Sequence, residues 1–514
     1  MTDLSAVTGT EVAGSEGRAQ PGHPADSVGW AGSTGSADPV LPADQVPDGA
    51  LAAVGGPLGR HARRPSWRAA IWPVVALAAI PMQLAMMERA YCIEHGWIGQ
   101  EMFSRACFSD LPVQLTTGRL AGGFTAYVSG SAHVDQPVVT GAVMALLGGL
   151  TGTGSVAGTQ RTYFYLWAVL AMVLLMATAW LSAASRPRTA GIAAAVALSP
   201  LVITTVMVGP DIVGVALLAA GMWAWARRRP VLAGALLGAA VMARTYPLLV
   251  LVALVLLAVR SGRPDRLRGL LGAAALVVAV LALVFGVAHH QTLTAAYTSW
   301  WSSPPGFGSP WFVPQIISSQ GPAASVPPFF RQVAQFLEAV LAHPVAPGVA
   351  TAFAVVGVVL ALGAGFVLAL GARRRPSWAE VALVMVGIAL VTGKSVPVQA
   401  SLWLLPLAAL AGVRWRDQLI WAGTEVAYFI AVWLYAGGLA HPDRGLPGEW
   451  YALFLFIRLA GIGWLVYCAW HRATTRPAHD PDPDWPGDPQ RDEVVDELAG
   501  PLTGEPDRVI AAYG

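Results

Sequence analysis

The segment Cys107-Phe108-Ser109-Asp110-Leu111-Pro112 places one carboxylate between small and aromatic residues, just beyond the first long apolar run. An acid at a water–membrane boundary, in a chain otherwise short of charge, can deprotonate a hydroxyl or clamp a substrate carried on a lipid. Partial desolvation there raises a carboxyl pKa and makes the group a better proton acceptor. The same letters also read as a helix start, because Asp followed closely by Pro is a common cap. One residue can do both, and both readings stand. His133 and Asp135 follow in the same polar stretch, suited either to orienting substrate hydroxyls or to plain solvation. Arg244 and Lys394 lie between short apolar runs. Arg grips phosphate with two N–H groups and Lys acts as a point charge, so both are candidates for a lipid phosphate. Snorkelling to headgroups, or a structural ion pair, is the plainer alternative.

These groups must be positioned by membrane helices. The chain has 514 residues, of which 55% are apolar and only 12% charged, against roughly 25% charged in soluble domains. A formal charge of +2 argues against a nucleic-acid partner. Apolar runs near 69–87, 162–184, 189–207, 211–226, 231–243, 246–259, 269–288, 347–371, 378–392, 399–413, 418–438 and 451–470 predict an all-α integral membrane protein with about twelve transmembrane helices. Several runs are shorter than the ~20 residues that span ~30 Å of hydrocarbon, so bent or broken helices are expected. Glu425, inside one run, must face the protein interior or a cavity.

Basic clusters orient the spans. Arg60, Arg63, Arg64 and Arg68 form the first cluster, followed by Arg186 and Arg188, then Arg227 to Arg229, then the run from Arg260 to Arg268. Arg373 to Arg375, Arg414 and Arg416, and Arg472 complete the series. All fall on one side, the cytoplasmic one, if the twelve runs alternate and if the extra apolar piece Val138 to Leu150 lies at the interface without crossing. Two long exoplasmic loops then result, about 89–160 and about 289–347. The first carries Asp110, Arg119, His133 and Asp135, and the second carries Trp300 and Trp301, which serve either as headgroup anchors or as stacking surfaces. Cys92 and Cys107 share the first loop, where a disulfide could persist; Cys468 reads as a small core residue. Residues 1–64 and 474–514 are too poor in large apolar side chains to bury a core and are expected to be disordered cytoplasmic tails, the first without a signal-peptide pattern. Residues 65–473 form the membrane domain.

Several blocks, in order, carry a family resemblance. Ala106-Cys107-Phe108-Ser109-Asp110-Leu111-Pro112, Gly118-Arg119-Leu120-Ala121-Gly122-Gly123 and Asp135-Gln136-Pro137-Val138-Val139-Thr140-Gly141 come first. Pro210-Asp211, Ala243-Arg244-Thr245-Tyr246-Pro247 and Gly393-Lys394-Ser395-Val396-Pro397-Val398-Gln399, running into Leu402-Trp403-Leu404-Leu405-Pro406-Leu407, come later. Together they resemble the actinobacterial polyprenyl-phosphate-mannose-dependent mannosyltransferases, family 87 of the C-type integral membrane glycosyltransferases. The likeness covers roughly residues 68 to 475. Asp-Gln-Pro stands where the family has Glu-Tyr-Pro, and Arg244 where it has Lys; the late block keeps Lys394 and Gln399 of its polar signature.

The resemblance implies a C-type glycosyltransferase-like fold and transfer of a sugar, with mannose expected, from a polyprenyl-phosphate donor to a glycolipid, glycan or protein acceptor at the outer face of the cell membrane. Asp110 would be the general base. Arg119, His133, Asp135, Arg244, Trp300, Trp301, Lys394 and Gln399 would bind substrate. No cofactor and no metal site are expected, since no phosphate loop, His-Glu-x-x-His or Cys-x-x-Cys occurs and the pair His289-His290 points in divergent directions on a helix. A transporter or flippase of lipid-linked sugars, or a noncatalytic homologue, is the alternative. The absence of an obvious internal repeat speaks against the transporter.

Overall fold

A computed structural model describes residues 67–186, 191–320, 344–439, 445–475 and 497–507, with side chains described except at 67–70 and 318–320. Among these residues the chain is helical throughout. The first part of the chain forms α1 Trp67–Ala76, α2 Ala79–Glu88, α3 Ala90–His95, α4 Glu101–Ser104, α5 Asp110–Thr117, α6 Gly123–Val128, α7 Val138–Gly148 and α8 Val156–Ser185. The middle forms α9 Gly191–Ala197, α10 Pro200–Thr205, α11 Ile212–Ala226, α12 Pro230–Ala243, α13 Pro247–Arg260, α14 Arg268–Ser302 and α15 Val313–Gln320. The last part forms α16 Pro347–Gly371, α17 Trp378–Val391, α18 Ser401–Leu410, α19 Trp415–Gly438 and α20 Gly448–Thr475.

Local chemistry sets many of these starts. Pro occupies the first turn of α10, α12, α13 and α16, where its missing N–H costs nothing. Ser377 and Glu380 make a reciprocal capping box at the start of α17.

Each of the twelve apolar runs is helical, but the helices are of two kinds. Six segments are long and apolar enough to cross a membrane: Ile71–Glu88, Val156–Ser185, Pro264–Ser302, Pro347–Gly371, Trp415–Gly438 and Gly448–Thr475. Their outward faces carry Val287, Val359, Leu360, Ile430 and Phe456 in the open, as lipid-facing helices require. Among the shorter helices some are buried nearly all round, while α12 and α13 also expose Val231 and Leu248. α17 and α18 bury almost every residue, and α11 has 15 residues, about 22 Å, too little to span the hydrocarbon. Their ends therefore lie inside the protein, at breaks over 206–211, 244–246 and 392–397.

Where lipid surrounds the bundle, close backbone contact replaces hydrophobic drive as the adhesive. α12 meets α14 through Gly234 and Gly238, four residues apart: a Cβ on Gly234 would lie 2.1 Å from the Leu270 carbonyl oxygen, and one on Gly238 would lie 2.7 Å from that of Ala274.

The helices run back and forth, so the three breaks and Asp110 gather at one end of the bundle and the basic clusters at the other. There Arg186 donates to Leu410 O, Arg260 to Ala369 O and Arg374 to Arg472 O, each within 2.9 Å. Arg60, Arg63, Arg64 and Arg188 lie outside the described residues, as do residues 1–64.

α14 kinks at His289, where the second exoplasmic segment was expected to begin; its φ of −163° and ψ of 100° are extended, and a second helical piece follows to Ser302. One expectation changes. The segment 474–514 was expected to be a solvated tail, yet residues 497–507 fold back on the basic end. Leu498 and Leu502 are buried, Asp507 pairs with Arg260 at 2.5 Å, and Glu505 bridges Arg263 and Arg266, each at 2.9 Å. Two leucines and two acids suffice to anchor a segment whose composition as a whole looks unfoldable.

Candidate active site

Asp110 is held by its own neighbours. Cys92 and Cys107 form a disulfide, and the Trp97 indole donates to the Cys107 carbonyl at 3.1 Å. Phe108 packs on Trp433 of α19, with ring centroids 4.7 Å apart. Ser109, fully buried, is the helix cap: its hydroxyl oxygen accepts from Leu111 N at 3.3 Å and its O–H donates to Met207 O at 2.7 Å. The Asp110 N–H donates to Val208 O at 2.7 Å, so the acid is seated directly on the 206–211 break. The question left open by sequence is settled locally: Ser109 does the capping, and the Asp110 carboxylate is available for other work.

That carboxylate is half-buried and accepts from the Gln399 side-chain amide at 3.3 Å. Gly209 makes room, since a Cβ there would lie 2.8 Å from the Gln399 nitrogen. Burial, and then the neighbouring Asp211 carboxylate, push the Asp110 pKa up to about 6, against the lowering effects of the Gln399 hydrogen bond and the Arg244 charge. A carboxyl group tuned to about 6 is largely ionised at neutral pH and binds a proton more readily than a free aspartate.

The second half of the site is a buried ion pair. Arg244, at the break between α12 and α13, grips Asp211 through two bonds of 2.8 Å each. The Asp211 side chain is 2% exposed and that of Arg244 12%. Asp211 also accepts from the Trp403 indole at 2.8 Å, and Trp403 stacks on Tyr246 at 4.8 Å with the rings 5° from parallel. Arg244 donates a further bond to the Gln136 side-chain oxygen. Among the described residues three of its five N–H groups are thus engaged and two have no partner. Thr140 ties α7 to this break by donating to Ala243 O at 2.7 Å.

The other candidates divide. Gln399 and Arg244 join Asp110. Lys394 does not: its side chain is fully buried, and its ammonium donates to Trp300 O and Trp301 O at 3.0 Å each and to Thr351 Oγ1 at 2.8 Å. Two of its three donors cap the end of α14 and the third is held by Thr351 of α16, which leaves none for a phosphate. Trp300 lies against that ammonium, 5.4 Å from ring centroid to nitrogen, while Trp301 is exposed. His133 and Asp135 are exposed, 3.3 Å apart, and Asp135 accepts from Ser299 Oγ at 3.1 Å; neither touches Asp110 or Arg244. Arg119 is exposed, in the left-handed conformation (φ 54°), and has no side-chain ion pair among the described residues. Among the described residues no group of three His, Cys, Asp or Glu side chains is arranged to hold a metal ion.

Sequence reasoning gave no site role to Asp211, which follows Pro210 at the start of α11 and makes no side-chain cap bond. It also passed over Gln136 and Trp403, which bond that pair, and Tyr246, which stacks on Trp403. The available signal was that Asp211 and Arg244 interrupt apolar runs at the same end of the bundle with opposite charge.

The chain is similar to an oligosaccharyltransferase of Archaeoglobus fulgidus, solved in its apo form, at 13% identity and a TM-score of 0.35; the match covers 88% of this chain and 62% of that one. No curated protein matches the chain. The family model of glycosyltransferase family 87 matches residues 137–396, just over half of the sequence and including Asp211, Arg244 and Lys394. This protein, a helical membrane protein, belongs to glycosyltransferase family 87.

Proposed function

We propose that the chain transfers a sugar, mannose being the expected one, from a polyprenyl-phosphate donor to a glycolipid, glycan or protein acceptor, with Asp110 as the base and no metal. In this reaction the acceptor hydroxyl gives its proton to the Asp110 carboxylate, and its oxygen forms a bond to the anomeric carbon from the face opposite the phosphate. The bond from that carbon to the phosphate oxygen breaks, and the electron pair leaves with polyprenyl phosphate. The two unengaged N–H groups of Arg244 are suited to meet the charge that develops on that phosphate. Asp211 keeps the guanidinium oriented and offsets its charge when no substrate is present.

The observation that carries the reading is the Asp110 carboxylate, raised to about 6 and bonded to Gln399, next to an Arg244–Asp211 pair at the same end of the bundle. The disulfide beside Asp110 supports a position outside the reducing cytoplasm. The arginines at the opposite end support cytoplasmic placement of that end, and with it of both termini. The exposed His133–Asp135 pair, with Ser299 bonded to it, is suited to hydrogen-bond hydroxyl groups of the acceptor.

The test is transfer of radiolabelled mannose from polyprenyl-phosphate mannose into the lipid and glycan fractions of membranes. Asp110→Asn is expected to lower the rate by about 10²–10⁴ while the purified protein keeps its wild-type melting temperature. Wild-type activity should fall as pH drops through about 6, because the protonated carboxyl cannot accept the acceptor proton. Full activity in Asp110→Asn would remove the base from the reaction. Label that crosses the bilayer still bound to its lipid would favour the flippase.

A further inference from the structure

A second buried charge pair lies beside the site without belonging to it. Arg458 of α20 and Glu425 of α19 meet at 2.8 Å, with 0% and 1% of their side chains exposed. Glu425 accepts in addition from Ser401 Oγ at 2.5 Å and from the Trp421 indole at 3.2 Å. Arg458 donates to Val396 O at 2.7 Å and to Pro397 O at 3.0 Å, and its guanidinium lies 4.5 Å from the centre of the Tyr428 ring. Each charged nitrogen and oxygen of this pair has a partner within the protein, and the side chains are too deeply buried for a ligand to reach.

An ion pair so deep in a membrane protein is a poor source of stability, since desolvation cancels most of the attraction and well-packed apolar residues of similar volume serve as well or better. What it supplies is geometry. Val396 and Pro397 end the break between α17 and α18. Two residues later, in a single turn of tighter helix over Val398–Ala400, Gln399 reaches the Asp110 carboxylate. Proline has no N–H, so backbone hydrogen bonding holds this stretch poorly; the Val396 N–H reaches only Phe307 O, at 3.2 Å. The two carbonyls on Arg458 are what hold it against α20.

We propose that Arg458, fixed in place by Glu425, is a positioning residue that sets how Gln399 meets Asp110. It touches no substrate and acts through the backbone of Val396 and Pro397. Loosening those carbonyls withdraws the Gln399 hydrogen bond, which favours the ionised form of Asp110; the acid limb of the pH–rate profile then moves to higher pH.

This inference rests on Asp110 being the base, and the two claims fail differently. Transfer is measured against pH for the wild type, Asp110→Glu, Gln399→Ala, Arg458→Lys and the double variant Arg458→Lys/Gln399→Ala, with melting temperature recorded for each. Arg458→Lys is expected to lower kcat roughly tenfold to a hundredfold, to leave KM for the donor within about twofold and to shift the acid limb upward as Gln399→Ala does. The double variant should show no further shift. Glu425→Gln, which preserves volume and hydrogen bonding, gives the same reading if Arg458→Lys does not accumulate. An acid limb that stays put in Asp110→Glu overturns the base itself. A limb that moves there but not in Arg458→Lys or Glu425→Gln, or shifts that add in the double variant, overturns the positioning role.

Discussion

The two ends of the bundle solve opposite problems with similar residues. At the basic end arginines bind carbonyl oxygens and the acids of residues 497–507: Arg260, fully buried, bonds both Ala369 O and Asp507. Every contact there closes the structure on itself. At the Asp110 end the helices stop short inside the protein, and their polar ends leave capacity over. Among the described residues Arg244 and Arg260 each keep two N–H groups without a partner, but the Arg244 side chain is 12% exposed and that of Arg260 0%, and beside Arg244 the half-buried Asp110 carboxylate accepts from the Gln399 amide. Burial of charge is common to both ends, so burial alone does not mark a site. Unused hydrogen-bonding capacity that a ligand can still reach does.

Three substitutions can break or sharpen that contrast. The largest effect is expected for Arg244→Met, which strands Asp211 as a buried, unpaired carboxylate and should cost about 3–5 kcal/mol of stability together with transfer. The double variant Asp211→Asn/Arg244→Met should recover most of the melting temperature, because both charges are gone, and none of the activity. Recovery of both would show that the pair is only structural. Lys394→Met should cost about 1–3 kcal/mol, since the carbonyls of Trp300 and Trp301 lose their donor, with KM for the donor unchanged. A tenfold rise in KM at unchanged melting temperature would return Lys394 to the phosphate. The smallest effect belongs to Asp507→Asn, about 1 kcal/mol or less for a partly exposed partner, with transfer at the wild-type rate. A loss of transfer there would connect the two ends.

Much of the frame was legible from hydropathy. All twelve apolar runs are helices, Val138–Gly148 is a short helix packed beside the others, and the described basic clusters meet at one end, because these features follow from local composition. The family likeness was legible too, on blocks that sit mostly at the helix breaks. What local composition does not carry is pairing between residues far apart in the chain. Asp211 and Arg244 are 33 positions apart, and Gln399 and Asp110 are 289 apart, so an acid after proline and a neutral amide gave no sign of their partners. Lys394 was ambiguous for a related reason. A cation between apolar runs is equally suited to a phosphate or to the end of a helix, and only the position of the α14 terminus decides between them. The folded-back segment 497–507 was hidden by averaging, because its two anchoring leucines are diluted by prolines and acids on either side.

The link between Cys92 and Cys107 bears on the seat of Asp110. Only two residues separate Cys107 from Asp110, and the strand between them is what seats the acid on Met207 and Val208. Reduction of that bond removes a covalent tie and leaves Cys107 held by the Trp97 indole and the Met102 carbonyl. On the role proposed for Asp110, a thiol reductant is expected to loosen the seat of the acid and to lower the rate of transfer.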